Sequence, residues 1–327
     1  MSVAPTVPDL DIAVLLPCLN EAAAIAQVVD DFRTALPGAR IYVFDNASTD
    51  DTAAVARAAG AIVAYEPRRG KGGVVRRMFA DVDADIYVMA DGDGTYSADR
   101  APDLVRALID AGADMVVAAR EGVTEDAGRA GHAFGNALFN RLFRLLFGRD
   151  FTDIFSGYRA FSRRYVKSFP ALSDAFEIET EMAVHASQLR MPVVEISAPY
   201  GKRMEGSASK LKTFRDGARI LHTFSNLLKD TRPTVFYGAL AGLGATVSLI
   251  LAIPLVIEFL ETGLVPRLPT AVLSTGIMLT AFIFAACGLI LHSVMRQRLE
   301  QKRLRYLAYR PPPRLDADAE QNRNNAL

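Results

Sequence analysis

The sequence has no excess of charge of either sign: 37 lysines and arginines balance 37 aspartates and glutamates. No global positive field draws such a chain to nucleic acid. Cysteine is nearly absent. Cys18, after an early apolar run, and Cys287, in a late one, make no disulfide framework and fit a reducing compartment. The four histidines, at 132, 185, 222 and 292, lack zinc-site spacing. No secretory signal is expected, because the first apolar run, Ile12 to Leu16, is short and follows Asp9 and Asp11. The first loop after a strand carries neither G-x-G-x-x-G nor G-x-x-x-x-G-K-S/T, so a dinucleotide fingerprint and a phosphate loop are both excluded there.

Long apolar runs are present at the far end. Val235–Ile257 and Leu268–Leu291 contain no charged residue. A hydrocarbon core of ~30 Å takes about 20 helical residues, so two membrane helices are expected, with a pair of buried core helices as the alternative. Gly238, Gly242 and Gly244 suit close helix packing in lipid, and Pro254 is tolerable there. The linker EFLETGLVPRLP carries two acids and one arginine, whereas RQRLEQKRLRYLAYR, after the second run, has six basic residues and one glutamate. Lys229 and Arg232 precede the first run. The positive-inside rule then puts both outer ends in the cytoplasm. The expectation is a multi-pass protein of the cytoplasmic (inner) membrane, with its soluble unit and C-terminus cytoplasmic. Residues 1–10 are an N-terminal extension, 11–212 the soluble unit, 213–232 an amphipathic interfacial helix, 233–295 the two membrane helices (about 235–257 and 268–291), and 296–327 a basic segment with a disordered tail.

Within the soluble unit, strand-like runs at 11–17, 40–45, 61–65, 85–90, 114–119 and 192–197 alternate with helix-like stretches at 21–36, 51–59, 71–83 and 100–111. Ile25, Val28, Val29 and Phe32 stand at helical spacing. This alternation predicts an α/β fold with a doubly wound, mostly parallel sheet. Such sheets bind ligands beyond the carboxyl ends of their strands. Function therefore belongs in the loops after Pro17, Asp45 and Ala90, which read PCLNEA, DNASTDDT and DGDGTYS.

Asp91 and Asp93 flank Gly92 at the end of a buried-looking strand. An Asx-rich turn accounts for them. So does a hard divalent cation, Mg²⁺ or Mn²⁺, which takes one or two carboxylates and completes its shell with water and phosphate oxygens. Asp45, with Asn46, either meets a base or ribose or caps the next helix. Lys71, in RRGKGGVVRR, either faces a phosphate near a helix start or is a solvated basic side chain.

LLPCLNEA, VFDNASTDDT, RRGKGGVVRRMF and MADGDGTY resemble, in order and spacing, the nucleotide-sugar half of the inverting family 2 glycosyltransferases, whose fold is called GT-A. DIFSGYRAFSRRYV, FEIETEMAVHA and YGKRMEGSASKL resemble the dolichyl- and polyprenyl-phosphate sugar synthases in particular, and the likeness spans about residues 11–212. The resemblance implies a metal-dependent hexosyltransferase acting on a UDP- or GDP-linked sugar and a polyprenyl phosphate, with no nucleic acid partner and a homo-oligomer allowed. Pro17, Asn20, Glu21, Asp45, Lys71, Asp91 and Gly92 would bind the nucleotide sugar. Asp91 and Asp93 would be the metal motif. Asp93, Asp153 and Arg203 would serve the reaction, and Arg120, Arg129, Arg141 and Lys210 the acceptor phosphate. The KRMEGSASK loop has one residue more than the commoner R-x-x-G-x-S-K form. The chain has no tryptophan, so it lacks the Q-x-x-R-W of processive polysaccharide synthases.

A phosphate monoester is already anionic at neutral pH and needs mainly positioning, whereas a hydroxyl acceptor, such as a glycolipid, needs a general base. HAFGNALFNRLFRLLFGR and LKTFRDGARILHTFSNLLKD are basic and amphipathic. They either lie in the bilayer interface or pack on the sheet. An inactive membrane scaffold is the remaining alternative, opposed by the intact Asp91 and Asp93. The Phe-rich piece 151–169 is expected to fill core, and Glu177, Glu179 and Glu181 to start a helix.

Overall fold

The computed structural model describes residues 10–121, 151–173, 177–201, 225–226, 228–229 and 231–312. The chain divides into two units, one of residues 1–213 with 302–327 and the other of residues 214–301. The first is built on a seven-stranded sheet. Strands β1 (Ile12–Cys18), β2 (Arg40–Asp45), β3 (Ile62–Tyr65), β4 (Ile86–Met89), β5 (Met115–Glu121), β6 (Arg159–Ser162) and β7 (Val193–Pro199) lie in the order β3-β2-β1-β4-β6-β5-β7. Every pairing is parallel except the two made by β6. This is the GT-A architecture, a mostly parallel α/β sheet.

The helices are α1 (Ile25–Ala35), α2 (Thr52–Ala58), α3 (Lys71–Asp81), α4 (Ala101–Asp110), α5 (Arg163–Ser168) and α6 (Ile178–Gln188). Ile25, Val28, Val29 and Phe32 of α1 are buried as their spacing requires. Val14, Leu16 and Cys18 of β1 join the same core as α1 and as Leu104, Val105 and Leu108 of α4. Helix α1 begins four residues later than its sequence pattern implies. Residues 22–24 form a turn ahead of it, and Asn20 before them takes a left-handed backbone (φ 58°).

Strand β6 was not foreseen. It has four residues, all buried, so it shows neither alternation nor length, and its phenylalanine pointed to core in general. It matters because it reverses direction. Arg159, its first residue, lies opposite Met89 of β4 and Val117 of β5. The carboxyl ends of β1, β2, β4 and β5 and the start of β6 therefore share one edge of the sheet.

At the opposite edge, Asp114 is fully buried. It accepts hydrogen bonds from Ser162 Oγ (2.7 Å), Arg164 Nε (2.6 Å), Arg164 Nη2 (2.8 Å) and Tyr306 Oη (2.8 Å). Tyr306 follows the second apolar run, and both Arg164 (4.5 Å) and Arg303 (4.9 Å) lie over its ring. Residues 302–307 are thus helical, where a basic segment outside the helices was expected.

The second unit holds α7 (Pro233–Thr262) and the greater part of α8 (Leu268–Leu307). Their most apolar windows have mean hydropathy 2.4 and 2.2, with 17% and 11% buried. Both helices are long and apolar enough to cross a membrane, and their exposure sets them apart from core helices. Glycine allows their approach: a Cβ on Gly244 would lie 3.2 Å from that of Ala281. Ser248 Oγ donates to Ser274 O at 2.7 Å. Gly263 closes α7 in a left-handed conformation (φ 72°).

Candidate active site

The loop after β1 is locked to the loop after β2. Asn20 N–H donates to Ser48 Oγ (2.9 Å), Glu21 N–H to Thr52 Oγ1 (2.8 Å) and Ala22 N–H to Asp50 Oδ2 (3.1 Å). Asn20 Oδ1 accepts from Thr49 N–H at 2.7 Å. Burial alone would raise the Asp50 pKa, but hydrogen bonds from Thr52 and the Ala22 amide hold it below the usual range. Asn20 and Glu21 are therefore framework as much as surface. Pro17 is the last but one residue of β1.

Asp45 closes β2 and is buried, and its Oδ1 has no hydrogen-bond partner among the described residues. Asn46 ties the end of β2 to the Gly-rich entry of α3. Its Nδ2 donates to Glu66 O (3.1 Å) and Arg68 O (2.6 Å), and its Oδ1 accepts from Gly70 N–H (2.8 Å). Gly70 (φ 135°) makes a turn open only to glycine.

That turn delivers Lys71, the first residue of α3, into the interior. Its ammonium is paired with Asp91 Oδ1 at 2.5 Å and Glu179 Oε1 at 2.6 Å. Burial works against this charge, but the two carboxylates outweigh it and hold the Lys71 pKa above its ordinary value. The solvated basic side chain is thereby corrected. Glu179, near the start of α6, was not among the assigned site residues. In the acidic run EIETE the sequence allows Glu179 to face the site but gives it no role. Its second oxygen, Oε2, is buried without a partner among the described residues.

Gly157 makes the cluster possible. A Cβ there would stand 2.9 Å from Asp91 Oδ2 and 3.0 Å from Lys71 Nζ, so the backbone of the SGYR stretch runs directly against the pair. Asp93, two residues past Asp91, is buried, and its Oδ1 accepts from Thr95 Oγ1 (2.6 Å) and Thr95 N–H (3.2 Å). Beneath the turn lies Cys18. A Cβ on Gly92 would come within 2.3 Å of its Sγ.

Among the described residues no group of three His, Cys, Asp or Glu side chains is placed to hold an ion by itself. That suits Mg²⁺ or Mn²⁺, which needs only one or two carboxylates when substrate phosphate and water complete its shell. Asp91 already carries the Lys71 ammonium, and Asp93 has a rotamer fixed by Thr95. The donor set fits a hard cation.

A second cluster lies along the same edge. Arg120 sits within β5 rather than just past its end. Its Nε and Nη2 bind Asp153 Oδ2 (2.7 Å) and Oδ1 (2.9 Å), and its own N–H reaches Oδ2 (3.2 Å). Burial would lower the Arg120 pKa, but Asp153 holds it above the ordinary value. The guanidinium also lies 5.3 Å from the Tyr200 ring centre. The following turn is organised by Arg159, fully buried, which donates to Ser156 O (2.9 Å) and Ile154 O (2.6 Å).

The structure thus gathers Pro17, Asn20, Glu21, Asp45, Lys71, Asp91, Gly92, Asp93, Arg120 and Asp153 at one edge, and adds Asn46, Gly157 and Glu179. Arg129, Arg141, Arg203 and Lys210 lie outside the described residues, as do the stretch 132–149 and most of 213–232.

A mixed sheet of this order, with acids at the carboxyl end of β4, is the GT-A fold. The chain belongs to glycosyl transferase family 2, whose description, Glycosyl transferase family 2, matches residues 13–169. Glycosyltransferase AglJ of Haloferax volcanii is 33% identical over 301 residues, 90% of this chain and 98% of that one. A dolichyl-phosphate hexose transferase of Haloferax volcanii is 29% identical over 213 residues, 64% of this chain and 90% of that one. Glucosyl-3-phosphoglycerate synthase from Mycobacterium tuberculosis, crystallised with Mn²⁺, uridine diphosphate and glucosyl-3-phosphoglycerate, superposes with a TM-score of 0.56 at 25% identity, over 68% of this chain and 80% of that one.

Proposed function

We propose that this enzyme transfers a hexose, with inversion, from a UDP- or GDP-linked sugar to a polyprenyl phosphate at the cytoplasmic face of the inner membrane. The carrying observation is a pair of buried carboxylate oxygens, Asp45 Oδ1 and Glu179 Oε2, that have no partner within the described residues. Buried acceptors left unmatched are costly. The hydroxyls of a ribose and of a sugar would satisfy them. Asp45 would then meet the nucleoside, with Pro17, Asn20 and Glu21 shaping its pocket, and the Lys71–Asp91–Glu179 triad would meet the sugar.

Asp93, with Asp91 through water, would hold Mg²⁺ or Mn²⁺, as the Mn²⁺–UDP complex of the mycobacterial synthase supports. That ion supplies charge stabilisation for the departing diphosphate. Arg203 and Lys210 would close over the phosphates. Arg120, joined by Arg129 and Arg141, would receive the acceptor phosphate.

Three observations support a lipid phosphate rather than a hydroxyl acceptor. Asp153, the carboxylate nearest Arg120, is occupied by three N–H groups of that residue, so it does not stand ready as a general base. The same chain carries two helices of membrane-spanning length. One relative is a dolichyl-phosphate hexose transferase.

The test is a donor screen with purified protein, Mn²⁺ and undecaprenyl phosphate, following labelled sugar into lipid extract. Acid-labile labelled lipid is expected from one nucleotide sugar, and Asp93→Asn should lower it by about 100-fold or more, the scale of losing metal-assisted charge stabilisation. Label appearing only on hydroxylated lipids, or full activity in Asp93→Asn, overturns the proposal.

A further inference from the structure

Tyr96 stands between the two clusters and belongs to neither. It is 8% exposed. Its hydroxyl oxygen accepts the backbone N–H of Gly157 at 2.9 Å, and Gly157 is the residue pressed against Asp91 and Lys71. On its other side the ring meets Tyr200, with centroids 5.2 Å apart, and the two residues share an isolated antiparallel bridge. The outer face of Tyr200 carries the Arg120 guanidinium. One phenol is therefore a single residue away from the Asp91–Lys71 pair and a single residue away from Arg120.

The hydroxyl has one hydrogen to give. Its oxygen is already occupied as an acceptor by Gly157, and among the described residues it donates to no acceptor. Burial first, and the Asp91 carboxylate second, raise its pKa well above the ordinary value, so the group stays a neutral donor. A buried O–H without an acceptor is costly. A ligand oxygen would remove that cost.

We propose that Tyr96 donates this hydrogen bond to the acceptor phosphate, alongside Arg120. The proposal rests on lipid phosphate being the acceptor. On the other flank Lys71 and Asp91 already satisfy one another, so the phenol hydrogen is left for a ligand on the Arg120 side. Arg120 brings charge, and a phosphate monoester has three terminal oxygens, enough to accept from a cation and a neutral phenol together. Tyr96 would fix the angle of the attacking oxygen towards the sugar carbon held beside Asp91, which is the kind of alignment that governs such a transfer.

The test compares wild type with Tyr96→Phe in three measurements: transfer to undecaprenyl phosphate, hydrolysis of the nucleotide sugar without acceptor, and nucleotide affinity. We expect kcat/KM for the lipid to fall by about 10- to 100-fold, the loss from one hydrogen bond to a charged group. Hydrolysis and nucleotide affinity should stay within about twofold of wild type. If transfer and hydrolysis fall together, Tyr96 is merely a prop for Gly157 and the proposal is overturned; unchanged kcat/KM for the lipid overturns it equally. A second variant carries 3,5-difluorotyrosine at position 96, which keeps the ring and the donor but makes the phenol more acidic. It should move the alkaline limb of the transfer pH profile to lower pH and leave that of hydrolysis in place; an unmoved limb refutes the role. Wild type that hydrolyses the donor yet glycosylates no lipid phosphate removes the acceptor assignment itself, whatever the variants do.

Discussion

Gly92→Ala is the sharpest single test of how the acidic turn is held. The added methyl would lie 2.3 Å from Cys18 Sγ, 3.4 Å from Ile25 Cδ1 and 3.6 Å from Pro17 O. Only the first distance is a clash. Gly92 is not among the positive-φ glycines, so its backbone admits alanine and the whole effect is steric. Cys18 is 2% exposed, so the sulfur has nowhere to swing and the turn itself must rise. Overpacking of this kind costs about 1–3 kcal/mol, and a turn displaced by a few tenths of an ångström carries Asp91 and Asp93 with it. The expected result is a lower thermal midpoint in detergent and a raised Mn²⁺ requirement for nucleotide-sugar hydrolysis.

The structure also names the cure. Cys18→Ala removes the one atom in the way, at a cost of about 1 kcal/mol for the small void left behind. The double variant should therefore be more stable than the sum of the two single effects, with a coupling of about 1–2 kcal/mol, and should regain most of the metal affinity. A double variant no better than Gly92→Ala alone would refute the reasoning. It would show that glycine is required at 92 for some cause other than contact with Cys18.

Three further perturbations follow from other contacts. Glu179→Gln leaves the buried Lys71 ammonium with Asp91 as its remaining carboxylate; a loss of about 1–3 kcal/mol in stability and a drop of at least about tenfold in donor kcat/KM are expected, and full activity would remove Glu179 from the site. Tyr306→Phe deprives Asp114 of one of its donors; a cost of about 1 kcal/mol should lower the thermal midpoint by about 2–4 °C without altering kcat, and an unchanged midpoint would mean that residues 302–307 do not dock in solution. His185 is buried, with the Lys302 charge nearby, and its pKa is pushed down to about 3 from an ordinary 6.5. Between those values the unfolded chain binds a proton that the folded protein refuses. Its contribution is thus complete above pH 6.5 and is lost as pH falls towards 3, at about 1.4 kcal/mol per pH unit. Denaturant titrations of wild type and His185→Gln should differ in slope across that window, and parallel curves would refute the depressed value.

The strands and the edge at which they converge were legible in the sequence because each strand ends abruptly in polar loop chemistry. Pro17, Asp45 and Ala90 mark three ends that parallel pairing then brings side by side. What could not be read was the reversal at β6. RAFS is four buried residues long, and no period of two or of 3.6 can be told over so short a span. With that strand hidden, the stretch from Asp153 to Tyr158 could not be placed against Asp91. Gly157, whose missing side chain lets the two halves of the site touch, therefore looked like any glycine in a turn. Glu179 was hidden for a different reason. Glu177 and Glu181, four residues apart, share one helix face with Glu179 on the other, and only the tertiary position of α6 selects the face that meets Lys71.

The same selection decides between the two acids of the D-G-D turn. The sequence reading takes Asp93 as the direct metal ligand and puts Asp91 nearer the ribose or the metal's waters. In the folded chain Lys71, twenty positions earlier, takes the first of them, while Thr95 fixes the second from within the turn. A carboxylate paired with an ammonium at 2.5 Å gives a divalent ion little reason to displace that partner, because the freed lysine would remain buried beside Glu179 and close to the new charge. Substituting Lys71 by methionine should therefore let Asp91 compete for the ion and tighten Mn²⁺ binding even as sugar transfer fails, whereas a Lys71 engaged mainly with phosphate would leave metal affinity unchanged or weaker. The opposite signs make titration calorimetry with Mn²⁺ alone, without nucleotide, enough to tell the two roles of this lysine apart.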